Sequence, residues 1–237
     1  MPEDSFKFLI AGVGGQGTVL ASDILAEVGI RLGYDTKKSD ILGLAVRGGS
    51  VVSHIQWAPR VHSPVIDEYD VDYLIGFEWL ETLRRLTYVK PDGIVLANDC
   101  RIDPMTVTSG QADYPEKEKI MTDLNRAARQ VRTIAGTRTA LDLGNVLCFN
   151  IVVLGGLSKI LGNEPDIWRS VIKDRVPEKV AALNLTALAL HASWHSRQPS
   201  PRHVSLLITM CMVFVSYVID FGSVGHAFSH SLSSAWH

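Results

Sequence analysis

The chain has 237 residues, 46% of them hydrophobic and 20% charged, a globular composition and not a disordered one. Its formal net charge of −2 excludes a basic nucleic-acid footprint spread over the whole chain. The three cysteines, Cys100, Cys148 and Cys211, are far apart and have no CxxC or Cys/His spacing; no metal site and no disulfide framework is expected, and the setting is expected to be reducing and cytoplasmic.

Met1 to Lys7 is acidic and runs directly into a strand, so no signal peptide is expected. Phe6–Ala11 is a short apolar run that stops at glycines and predicts a buried strand. Gly12–Gly17 is a turn, and Thr18–Leu32 carries Leu20, Ile24, Leu25, Val28 and Leu32 at helical spacing, closed by Gly33. Tyr34–Lys37 predicts a second short strand, Lys38–Ser50 a glycine-rich loop, and Val51–Trp57 an alternating strand. Val71–Phe77 is a further buried strand, followed by a helix over Glu78–Leu86. Pro91–Gly93 turns into the strand Ile94–Ala97; Lys117–Gln130 predicts an amphipathic helix and Val131–Ala135 a strand. Helices are predicted over Asn145–Leu161, Pro165–Asp174 and Pro177–Leu190. Strands alternating with helices imply an α/β fold: a three-layer, mainly parallel, Rossmann-like sheet with helices on both faces.

From His191 the composition changes. The last 47 residues hold six of the eight His, ten Ser, no Lys and no Glu. Within them Val204–Ile219 is a 16-residue apolar run, short of the roughly 20 residues a spanning helix needs. A membrane anchor, an appended buried element and an altered-frame end compete. The abrupt loss of Lys and Glu favours the last. Residues 1–190 are therefore read as one domain and 191–237 as a divergent tail, expected to be poorly ordered.

Gly12, Gly14 and Gly17 fit G-x-G-x-x-G between a strand and a helix. Such a turn lets backbone approach a phosphate, with N–H groups at the helix start aimed at it. Gly15 completes the turn, and Gln16 can place an amide at its mouth. Asp35, 18 residues after Gly17, approximates the ribose-binding acid of a dinucleotide site. Lys37, Lys38 and Ser39 at one end of the second loop, and Arg47, Gly48, Gly49 and Ser50 at the other, suit a polyphosphate. The bland alternatives are tight strand–helix packing for the glycines and a solvated basic loop or a subunit contact for the loop. His54 reads better as a core or interface residue than as a catalyst. Glu78 and Glu81 read better as first-turn acids of a helix than as ligand groups. Asn145 and Asn150 are expected to satisfy backbone or a neighbouring subunit. No GxSxG, HExxH or supported carboxylate pair is present, so no catalytic residue is assigned. The chain reads as the binding half of an enzyme.

Gly12–Gly17 with Ala21-Ser22, Gly33–Ser39, and Arg47–His54 resemble the gamma-type domain of 2-oxoacid:ferredoxin oxidoreductases, and most of all its indolepyruvate (beta, small-subunit) group. Phe77-Glu78, Leu80-Glu81, Tyr114-Pro115, Leu143–Asn145, Leu157-Ser158 and Val176–Lys179 extend the likeness from Phe6 to Leu190. Leu42 and Val46 stand where that group has a His and a Gln. The resemblance implies oxidative decarboxylation of an aryl 2-oxoacid to an acyl-coenzyme A, with electrons leaving to ferredoxin. It places thiamine diphosphate and [4Fe-4S] clusters in a large partner subunit and associates this chain with coenzyme A. A stand-alone NAD(P)-binding protein and a non-catalytic assembly module are the alternatives.

Overall fold

The structure, a computed structural model, describes residues 3–43 and 48–190. The tail, with its apolar run, and Leu44–Arg47 lie outside the described residues. Among the described residues no helix is long and apolar enough to cross a membrane.

The chain opens with β1 (Phe6–Val13) and α1 (Thr18–Arg31), then β2 (Asp35–Leu42) and β3 (Ser50–Ala58). Next come β4 (Val71–Gly76), α2 (Trp79–Arg84), β5 (Val89–Asn98) and the one-turn α3 (Met105–Thr108). It closes with α4 (Lys117–Ala127), β6 (Gln130–Ile134), α5 (Gly136–Asp142), α6 (Phe149–Leu161), α7 (Pro165–Arg175) and α8 (Glu178–Ala189). The strands form one six-stranded sheet, in the order β2-β3-β1-β4-β5-β6. β1, β4, β5 and β6 pair parallel, whereas β3 runs antiparallel to both β1 and β2. The sheet is thus mixed and mostly parallel, as the alternation of strands and helices predicts.

Both faces are covered. Phe8 and Ile10 pack toward α1, α6, α7 and α8, and Leu9 and Ala11 toward α2 and α4. This is why β1 reads as a continuous apolar run and not as an alternating one. Its position in the middle of the sheet follows from the same residues, since only a strand apolar on both faces can be buried on both.

The structure corrects the expected second loop. Lys38–Leu42 is strand, and β2 and β3 form a hairpin whose connection starts at Gly43. The polar run Lys38-Ser39-Asp40 reads as loop in isolation. In the fold Lys38 Nζ meets Asp23 Oδ1 at 2.6 Å and Asp40 Oδ2 at 2.7 Å. Asp40 Oδ1 accepts from Ser53 Oγ at 2.5 Å and Ser22 Oγ at 3.0 Å. The polar residues of an edge strand are therefore satisfied beneath α1. The Pro91–Gly93 turn survives inside β5. There the register with β4 jumps from Val71↔Val89 to Tyr73↔Ile94, so the turn residues bulge from the ladder. α3 and α5, both short, have no counterpart among the predicted helices.

α1 lies close on β3 because Gly29 has no side chain. A Cβ there would sit 2.6 Å from Thr36 Oγ1 and overlap the Trp57 indole, which is 1% exposed and cannot swing away. Gly29→Ala is predicted to lower unfolding free energy by about 1–3 kcal/mol, read as a lower urea midpoint. An unchanged midpoint would contradict this packing.

Candidate functional site

The carboxyl ends of β1, β4 and β5 and the closed end of the β2–β3 hairpin lie at one edge of the sheet. Leu42, Val51 and Gly12 are lateral neighbours there. The strand–turn–helix unit supplies the first loop. Gly15 (φ 103°) and Gly17 (φ 74°) take backbone conformations that other residues resist. A Cβ at Gly12 would come within 2.9 Å of Thr18 Oγ1 and 3.1 Å of Phe77 Cβ. Gly17 caps α1 without a side-chain hydrogen bond, and the first turn carries no acid. The opening N–H groups of a helix have no intrahelical acceptor; here they and the positive end of the dipole face the loop cluster.

The hairpin supplies the second loop, and the two are joined through backbone. Gly14 N–H donates to Gly49 O at 2.8 Å, and Gly48 N–H donates to Gly14 O at 3.3 Å. The expectation that the two glycine loops lie side by side matches this geometry for Gly12, Gly14, Gly15, Gln16, Gly17, Gly48, Gly49 and Ser50. Gln16 does not reach outward. Its Oε1 accepts from Val13 N–H at 2.8 Å and its Nε2 donates to Phe77 O at 3.1 Å. The amide thus stitches the end of β1 to the end of β4 underneath the turn. Thr18 Oγ1, beside it, is buried without a hydrogen-bond partner.

The remaining predicted donors are elsewhere. Lys37 Nζ donates to Val61 O, and Lys38 is held by Asp23 and Asp40. Burial works against the Lys38 ammonium, but those two carboxylates outweigh it and raise its pKa. Ser39 lies mid-strand, opposite His54. The ammonium groups expected in a loop beside the turn therefore belong to the body of β2. Arg47 and Val46 lie outside the described residues. Asp35 is opposite Ala58 at the start of β2 and accepts from Val61 N–H at 2.7 Å. That is about 20–25 Å along the strand from the turn. Asp35 therefore does not stand beside the glycines, which removes the support it gave to the dinucleotide alternative.

Two buried acids complete the edge. Glu78 caps α2: its Oε2 accepts from Glu81 N–H at 2.9 Å, and its Oε1 from Ile102 N–H at 3.1 Å and Tyr114 OH at 2.5 Å. Burial pushes its pKa above the usual carboxylate value even against these donors. Burial and Glu78 together push the Tyr114 hydroxyl up, and Arg101 lies 4.2 Å over its ring. Glu81 Oε2 accepts from Ser50 Oγ at 2.5 Å and its Oε1 from Arg84 Nη1 at 2.5 Å. The reading of Glu78 as a first-turn helix acid matches its cap, but Glu81 also reaches the hairpin. Asn145 and Asn150 satisfy backbone, the latter through Gly17 O at 3.3 Å and Ile151 N–H at 2.8 Å. Sequence reasoning missed Asn98, whose amide bridges Phe77 O and Thr137; a lone Asn at a strand end gives no signal of it.

A family model, pyruvate ferredoxin/flavodoxin oxidoreductase, matches residues 7–193. The chain belongs to that family. It is 31% identical over 191 residues to the indolepyruvate oxidoreductase subunit IorB of Thermococcus kodakarensis, covering 78% of this chain and 93% of that one. Its fold matches the crystal structure of a keto/oxoacid ferredoxin oxidoreductase gamma subunit from Geobacter sulfurreducens (TM-score 0.59, 23% identity, 79% of this chain and 94% of that one). It also matches part of a 2-oxoglutarate:ferredoxin oxidoreductase from Magnetococcus marinus, solved with 2-oxoglutarate, coenzyme A and succinyl-CoA (TM-score 0.63, 17% identity, 84% of this chain and 32% of that one).

His54 is a core residue of this gamma-type fold, 1% exposed, with Nδ1 accepting from Ile66 N–H at 3.2 Å. Burial, and then the Arg85 charge, holds its pKa below the ordinary value. The unfolded chain therefore binds this proton more readily than the folded one. The His54 contribution to stability is complete above about pH 6.5 and is lost as pH falls toward the depressed folded value. His54→Asn, which keeps an acceptor for Ile66 N–H, is predicted to flatten the acid side of a plot of urea midpoint against pH. A slope equal to that of the wild type would contradict the assignment.

Proposed function

We propose that this chain is the small subunit of a heteromeric oxidoreductase that oxidatively decarboxylates indolepyruvate or another aryl 2-oxoacid to its acyl-coenzyme A, CO2 and reduced ferredoxin. The substrate class rests on the 31% identity to the indolepyruvate oxidoreductase subunit. Thiamine diphosphate and the iron–sulfur clusters are assigned to a larger partner subunit, which also passes electrons to ferredoxin. The donors here do not fit a cluster: among the described residues no group of three or more His, Cys, Asp or Glu is placed to hold a metal ion, and Cys100 and Cys148 are separately buried.

This chain's own part is to present coenzyme A. The observation that carries this reading is the backbone pairing of Gly14 with Gly48 and Gly49. It makes one surface from the α1 N-terminus and the hairpin end. A diphosphate lying there takes charge-assisted hydrogen bonds from the first-turn N–H groups and the favourable end of the α1 dipole. Gly15 and Gly48 leave the approach open, since a Cβ at either meets no atom within 4 Å. Ser50 stands beside them. Lys37 and Lys38 hold β2 in place and take no part in binding.

Gly15 and Gly162 give a matched test. Both have positive φ and open space where a methyl group would stand, but Gly162 ends α6, about 20 Å from the turn along that helix. Alanine at either position strains the backbone by about 1 kcal/mol. In the assembled enzyme, Gly15→Ala is predicted to raise the KM for coenzyme A by about tenfold, while Gly162→Ala leaves it unchanged. Equal KM values for the two variants would refute coenzyme A binding at the turn.

A further inference from the structure

The segments that carry the family likeness are scattered through the chain, yet in the fold five of them are linked. Gly14 exchanges backbone hydrogen bonds with Gly48 and Gly49. The next residue, Ser50, donates its hydroxyl to Glu81 Oε2 at 2.5 Å. Glu81 donates its own N–H to Glu78 Oε2 at 2.9 Å. Glu78 Oε1 then accepts from Tyr114 OH at 2.5 Å and Ile102 N–H at 3.1 Å, and Tyr114 accepts in turn from Leu80 N–H at 3.1 Å. Hydrogen bonds therefore run unbroken from the turn after β1 to the loops after β4 and β5.

Both carboxyl groups are buried, Glu78 to 1% and Glu81 to 3% exposure. Burying an acid is unfavourable unless its oxygens are engaged. Capping α2 accounts for Glu78. It does not account for Glu81, because an acid in the first turn serves the helix dipole equally well from solvent. Arg84 Nη1 holds Glu81 Oε1 at 2.5 Å and leaves Oε2 for Ser50. Arg85 Nη2 approaches the same hydroxyl at 3.4 Å. Gly48 and Gly49, which Ser50 follows, need such a tie, since glycines lose the most freedom when they are ordered.

We infer that Glu81 is a positioning residue for the ligand loop. Its carboxylate fixes Ser50, and through Ser50 it fixes the Gly48–Gly49 backbone against Gly14. The inference rests on the coenzyme A reading for its kinetic consequence alone. The positioning itself is a property of this chain's own hydrogen bonds.

The test compares Glu81→Ala with Glu81→Gln in the assembled oxidoreductase carrying the full chain. Amide deuterium uptake is measured together with coenzyme A kinetics. Glu81→Ala is expected to speed exchange at Gly14, Gly43 and Gly48, whose N–H groups close the loop cluster. It is expected to raise the KM for coenzyme A by about tenfold, the scale of one hydrogen bond to a charged group, while kcat stays within about twofold. Glu81→Gln keeps an oxygen for Ser50 and restores both readouts. Faster exchange with an unchanged KM upholds the positioning role and overturns the coenzyme A reading. Unchanged exchange at those amides overturns the inference. If Glu81→Ala does not assemble, Ser50→Ala removes the same hydrogen bond from the other side; wild-type protection in that variant overturns the inference as well.

Discussion

Gly14 lends both its backbone groups to the hairpin end, and the character of this end of the sheet depends on that exchange. The N–H of Gly14 donates to Gly49 O, and its carbonyl accepts from Gly48 N–H. The first of these bonds keeps the register of the antiparallel β1–β3 ladder beyond Val13↔Ser50, and the second slips by one residue. The pairing is available only because β3 enters the sheet beside β1 in the reverse direction. In an all-parallel sheet a connection would have to cross over before the next strand returned to β1. Here a hairpin brings its closed end directly to the glycine turn. One reversed strand therefore turns a generic strand–turn–helix unit into a two-loop surface.

The price of that arrangement is an edge strand rich in polar residues, and the fold satisfies them locally. Lys38, Asp40, Asp23, Ser22 and Ser53 form one network between β2, β3 and α1. Charges on an edge strand also discourage pairing with another sheet. Where β1, β4 and β5 end, Gln16, Asn98 and Glu78 satisfy backbone groups. Each of these side chains ties one loop to its neighbour. The loops at this edge are thus held by side-chain amides and carboxylates, while the helices are held by the apolar faces of the sheet.

Much of this is legible in the sequence, and the misses have physical causes. Apolar runs such as Phe6–Ala11 announce strands buried on both faces, and the glycines after them mark the turn before α1. Lys38–Leu42 reads wrongly because a strand whose polar residues pair with one another beneath a helix looks like a loop. Strand direction is equally hidden, since nothing local in Val51–Trp57 distinguishes a hairpin return from a crossover. Gly12–Gly17 and Gly48–Ser50 are legible as neighbouring loops. Lys37 and Lys38 are not legible as structural lysines, because their carboxylate and carbonyl partners are distant in sequence or hidden in a polar run. Glu81 carries a signal in its position after a strand end. Its role depends on Ser50, 31 residues away, and no spacing rule predicts that contact.

Coenzyme A presented by the joined glycine loops is the central claim, and a structure of the assembled enzyme with desulfo-coenzyme A bound tests it most directly. The diphosphate oxygens are predicted to lie within hydrogen-bond distance of backbone N–H groups between Gly17 and Leu20, with Gly48–Ser50 alongside. A coenzyme A molecule held entirely by the larger subunit, with the glycine turn packed only against protein, would contradict the claim.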